Sequence, residues 1–173
     1  MTQTTLTTKT SSLDFFSCLV ERLIQGPVVV AIVTATHGDV GSQIGEKLLI
    51  WGDAQTMGSL TEHTVKATVI TQSFAVMKTG ISQRIVIDPG NNLFAVTADP
   101  EAPQSTAQVH VWLIRWQGAI ALSTAKAALA AINTGQKHRL VIPLVTGQFP
   151  YILGAEGPSL RNLQGQDAYL EDL

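Results

Sequence analysis

The sequence predicts a single α/β domain, a mixed β-sheet of about six or seven strands with three helices packed on it. Three observations predict it. Val28 to Val33, Lys47 to Trp51 and Leu140 to Val145 are apolar almost throughout, the mark of strands covered on both faces. Three further segments repeat their apolar residues at helical spacing. The 173 residues are 45% hydrophobic and only 14% charged, enough for one core and far too apolar for a disordered chain.

Each element has its own signal. Ser11-x-x-Asp14 resembles a capping box, and Phe16, Leu19, Val20 and Leu23 give the first helix one apolar face. Gly26 stops it and Pro27 prevents its resumption. After the strands Val28 to Val33 and Lys47 to Trp51, Gly52-Asp53 turns the chain. Ser59-x-x-Glu62 reads as a capping box opening a second helix, which Val65, Val69, Ile70 and Met77 carry to about Thr79 before Gly80. Arg84 to Asp88 alternates as a strand does and stops at the turn cluster Pro89 to Asn92; Leu93 to Val96 would return as its hairpin partner. In the next strand Val109, Val111, Leu113 and Arg115 lie on one side, His110, Trp112, Ile114 and Trp116 on the other. Ala121 to Asn133 is an alanine-rich helix with Leu122, Ala125, Leu129 and Ile132 as its stripe. Leu140 to Val145 is a strand whose Pro143 points to an edge or a bulge.

The boundaries and the charge narrow the classes of function. Residues 1–12 are a polar, flexible tail without the basic start and apolar middle of a secretory signal, the domain spans 13–160, and 161–173 is an acidic C-terminal tail. A formal charge of −2 without a basic run argues against nucleic acid and against an anionic membrane as partner. No apolar stretch reaches the roughly eighteen residues of a membrane span. The expected location is cytoplasmic, and the single Cys18 reads as a small hydrophobe in a helix.

An internal similarity directs attention to one loop. Helix, glycine, strand, loop and Leu48-Leu49-Ile50-Trp51-Gly52 lead to Gly58-Ser59-Leu60; helix, Gly135, strand, loop and Tyr151-Ile152-Leu153-Gly154 lead to Pro158-Ser159-Leu160. This suggests a duplicated helix-strand-strand unit. The second copy crosses between its strands in Thr146 to Pro150, whereas the first spends His37 to Glu46. Loop beyond what the scaffold needs is a candidate for function. Gly38, Gly41, Ser42 and Gly45 would let backbone N–H groups approach an anion, and Lys47 would add charge. The glycine and hydroxyl of Gly58-Ser59 at the next helix start form a second anion candidate. The bland alternatives are an exposed loop and an ordinary capped helix. His37, Asp39 and Ser42 are too close in one loop to make a triad, and no Cys/His/carboxylate spacing fits a metal. Trp112 and Trp116 share a face and read as core or as a subunit contact.

At that loop the chain resembles the N-terminal domain of the XdhC/CoxI family, accessory proteins of xanthine dehydrogenase and carbon monoxide dehydrogenase. The likeness lies in Thr36-His37-Gly38, then Gly45-x-Lys47-Leu48-Leu49-Ile50, then Gly58-Ser59-Leu60. By order and spacing it extends over most of residues 15–160. The chain departs where the family writes Gly-Ser-Ser-Pro-Arg and this one has Gly38-Asp39-Val40-Gly41-Ser42, and where a glycine cluster with cysteine gives way to Thr61-Glu62-His63-Thr64. The resemblance implies a non-catalytic accessory or binding module and a molybdopterin-type cofactor. It implies as partner a molybdenum hydroxylase or a separate Rossmann-domain protein, since these residues leave no room for that second fold. The alternative is a homo-oligomeric interaction scaffold that has lost the ligand.

Overall fold

Ser11 opens the first helix, α1 (Ser12–Gln25): its hydroxyl accepts the Asp14 N–H at 3.1 Å and donates to the Asp14 carboxylate at 2.6 Å. This satisfies one of the donors that a helix start leaves unpaired. Ser11→Ala should therefore lower stability by about 1 kcal/mol. A shift of the urea midpoint checks it, and an unmoved midpoint would count against the cap. Beyond Gly26 the chain runs through β1 (Val28–His37), β2 (Lys47–Trp51), β3 (Gln55–Gly58), α2 (His63–Thr79), β4 (Gln83–Ile87), β5 (Gln108–Trp116), α3 (Gly118–Thr134), β6 (Arg139–Pro143), β7 (Tyr151–Leu153) and β8 (Ala168–Asp172). The computed structural model describes residues 11–90, 107–154 and 167–173.

The predicted α/β class, single domain and three helices are present. Among the described residues, however, the strands form two antiparallel sheets rather than one mixed sheet: β3-β2-β1-β5-β4 and β7-β6-β8. Short connections explain the direction, since β1–β2, β2–β3 and β6–β7 are joined by turns too brief for a parallel crossover. β1 lies at the centre and is covered on both faces. Val29, Ala31 and Val33 face α2 through Val65, Val69 and Val76. Val28, Val30 and Ile32 join α1, α3 and the apolar side of β6 through Phe16, Leu19, Ala125, Leu140 and Ile142. β5 splits as its alternation predicts: Val109, Val111 and Leu113 belong to the α2 side, Trp112, Ile114 and Trp116 to the other. Both tryptophans are core. Cys18 packs partly buried against that same cluster.

Several expectations change. The Ser59-x-x-Glu62 box does not form: α2 starts at His63 with Glu62 as an N-cap whose side chain makes no capping bond. β3 takes the chain past Gly58 first, a four-residue strand with no apolar run to announce it. The α3 stripe is carried by Ala121, Ala125, Ala128 and Ala131, small residues that let it lie close to α1, with Leu122, Leu129 and Ile132 only partly buried. Pro143 marks no edge strand, because β6 is central in its sheet and the proline sits at its last position, opposite Ala168. The acidic tail is in part a strand: Ala168–Asp172 is β8, paired along β6. Leu93 to Val96 and residues 1–10 lie outside the described residues. Both helix–strand–strand units occur, α1–β1–β2 and α3–β6–β7, each closing on an antiparallel pair. No helix among the described residues is long and apolar enough to cross a membrane.

Candidate ligand site

The loop between β1 and β2 is anchored at its far end. Gly45 N–H donates to the Val33 carbonyl and Val33 N–H to the Glu46 carbonyl, both at 2.9 Å, which continues the ladder beyond Ile32 and Lys47. A bulge between Val33 and Ala35 then carries the last residues of β1 along β5. The glycine at 45 has φ +91°, a backbone state that favours glycine.

The predicted site residues separate into two groups. Gly41 and Ser42 turn toward the start of α2, where the buried Ser42 hydroxyl donates to Glu62 Oε2 at 2.8 Å. Gly45, Lys47 and Ser59 meet instead in a cavity of about 200 Å³ at the start of α1. Ser11, Ser12, Phe15, Tyr169 and Glu171 complete its lining. Ser59 reaches it because its hydroxyl accepts the Lys47 N–H at 3.0 Å, while its own N–H donates to the Lys47 carbonyl at 2.9 Å. Gly58 does not face the cavity: a Cβ there would lie 2.1 Å from the Lys47 carbonyl oxygen, so its bareness makes room for β2. Gly38 adopts φ +71° at the end of β1.

Electrostatics inside the cavity differ from the sequence expectation. The Lys47 ammonium is 5.3 and 5.7 Å from the ring centres of Phe15 and Phe16 and forms an ion pair with Glu171. Each of the two side chains is only 10% exposed. The charge expected of Lys47 is therefore already balanced from within. Glu171 Oε2 is buried and has no hydrogen-bond partner among the described residues. Tyr169 stands beside it; burial, and then the Glu171 charge, push its hydroxyl up to about 12, so it keeps its proton and remains a donor at neutral pH. Tyr169 and Glu171 are two apart on β8 and so point the same way. The expectation of a tail over 161–173 concealed both, and only the short Tyr-x-Glu alternation signalled them.

The triad excluded from the sequence does not form either. Ser42 bonds Glu62, and the His37 ring meets His110 edge-on with centroids 5.3 Å apart. Burial, then the neighbouring His37 and Arg84, hold His110 below the ordinary value of 6.5, which keeps it neutral. No group of three or more metal-ligating side chains occurs among the described residues.

Residues 24–88 match the model of the XdhC and CoxI family, a span running from the end of α1 through the loop, β2, β3 and α2 to β4. The crystal structure of a Bacillus halodurans protein described as a xanthine dehydrogenase is similar, with a TM-score of 0.68 and 11% identity. The likeness covers 94% of this chain and 53% of that one, so this chain spans about half its length, and at that identity it shows the fold. No curated protein matches the chain.

Proposed function

We propose that this domain, which carries the strand–loop–strand–helix unit of the XdhC and CoxI family, is a non-catalytic accessory module serving a molybdenum hydroxylase. Its ligand is met in the cavity between Lys47 and the start of α1. The observation that carries the reading is convergence: Gly45, Lys47 and Ser59, all within the matched span, reach one polar cavity from a loop, a strand and a turn. The molybdopterin-type cofactor implied by the family fits only in part. At about 200 Å³ the cavity is smaller than the ~300–1,000 Å³ that encloses a whole drug-sized ligand, and Glu171 already takes the Lys47 charge. It has room for one ring or one anionic group.

Purified protein assayed for molybdenum and for pterin fluorescence, then titrated with molybdenum cofactor, tests the reading. Saturable binding is expected. Lys47→Ala, measured where circular dichroism shows it folded, should weaken binding about tenfold or more, the worth of a hydrogen bond to a charged group. No retained pterin and no saturable binding would leave the second reading, a homo-oligomeric interaction scaffold. That reading draws on Glu171, which fills the ligand's place with the protein's own side chain.

A further inference from the structure

We propose that β8 is a displaceable strap, and that the Glu171 carboxylate stands in the cavity for the anionic group, of phosphate type, of the ligand. The proposal rests on the reading of the cavity as the ligand site. Three ion pairs draw their acid from residues 167–172: Glu171 to Lys47 on β2, Asp167 to Arg84 on β4 at 2.5 Å, and Asp172 to Arg139 on β6 at 2.6 Å. One short segment is thus held by charge to three strands drawn from both sheets. Two of these pairs are largely exposed, with side-chain exposures of 43% and 58%, and 32% and 79%. Such pairs hold weakly and are screened by salt. Among the described residues β8 is also an edge strand, paired on one side along β6, and its Leu170 is 36% exposed.

The seat it fills suits another anion better. Glu171 satisfies one oxygen on Lys47 and leaves the other buried without a partner. Further donors line or border the cavity: the remaining ammonium protons of Lys47, the hydroxyls of Ser12 and Ser59, and the N-terminal end of α1, whose first turn already carries Asp14. A tetrahedral anion presents more oxygens to them. Lifting β8 withdraws both Glu171 and Tyr169, which widens the cavity and frees the ammonium. This accounts for a site that is polar, yet too small and too neutral for a cofactor while the strap is seated.

Acetylation of Lys47 by N-hydroxysuccinimidyl acetate, followed by peptide mass spectrometry on the full chain with exposed Lys126 as the internal reference, tests the strap. In Glu171→Gln, Lys47 should react about tenfold faster or more relative to Lys126. Asp167→Asn leaves the charges around Lys47 in place and loosens only the Arg84 tie, and should still raise the rate about threefold. About 1 M salt, where the Debye length is roughly 3 Å, should do the same in the parent. Inorganic phosphate should protect Lys47, and at lower concentration in Glu171→Gln than in the parent. Lys47 rates unchanged in Asp167→Asn and in salt would overturn the strap and leave the ligand reading intact. Faster labelling that neither phosphate nor molybdenum cofactor suppresses would overturn the ligand reading and the stand-in with it. Circular dichroism and exchange of the β1 and β5 amides, which do not pair with β8, confirm that each variant is folded.

Discussion

Replacing Gly58 with alanine is expected to lower stability by about 3 kcal/mol or more, the cost of backbone strain added to overpacking. The added Cβ would meet the Lys47 carbonyl oxygen at 2.1 Å, and the Leu48 Cα and Lys47 carbonyl carbon at 2.9 Å. All three are backbone atoms of a buried strand, so none can swing aside. The same carbonyl accepts the N–H groups of Ser59 at 2.9 Å and Leu60 at 3.2 Å. Relief of the clash would pull β3 from β2 and draw Ser59 out of the cavity. Gly52 provides the comparison: at φ +53° nothing lies within 4 Å of its Cβ position, so Gly52→Ala bears only the left-handed penalty of roughly 1–2 kcal/mol. Urea unfolding of the two variants checks the difference, and equal midpoints would contradict it.

Lys47→Met should cost about 3 kcal/mol, whereas Lys47→Met combined with Glu171→Leu should lie within about 1 kcal/mol of the parent. The single substitution leaves a carboxylate at 10% exposure with neither oxygen paired. Desolvation of that uncompensated charge, and not the lost attraction, makes up most of the penalty. The double substitution replaces both ions with apolar groups beside Phe15 and Phe16, whose rings already line that side. A double-mutant cycle by denaturant unfolding measures it. A double variant no more stable than the single one would show that the pair is not the source of the cost.

Much of this architecture was legible in order along the chain, and the reasons are local. Ser11 through its side chain, and Gly80 and Gly135 through left-handed backbone states, act at helix ends, so each of these boundaries is readable where it stands. The strict alternation of Val109 to Trp116 assigned both faces of β5 because a strand between two packed layers has no other way to lie. What was not legible depends on distant residues. Ser59 looked like a helix cap because the Lys47 N–H that takes its hydroxyl is twelve residues back. Lys47 looked like a free cation because its partner lies in an acidic stretch whose composition suggests a tail. The loop from His37 reads as one unit in sequence, yet Ser42 turns to the start of α2 and Gly45 to the start of α1.

The span between Lys47 and Glu171 has a consequence for the moment of synthesis. Those two side chains are 124 residues apart in sequence. On the ribosome, β2, Ser59 and the first turn of α1 emerge long before the strand that closes over them. Lys47 therefore gains its Glu171 partner only after β8 has been made, so closure over the buried ammonium is a late event in folding.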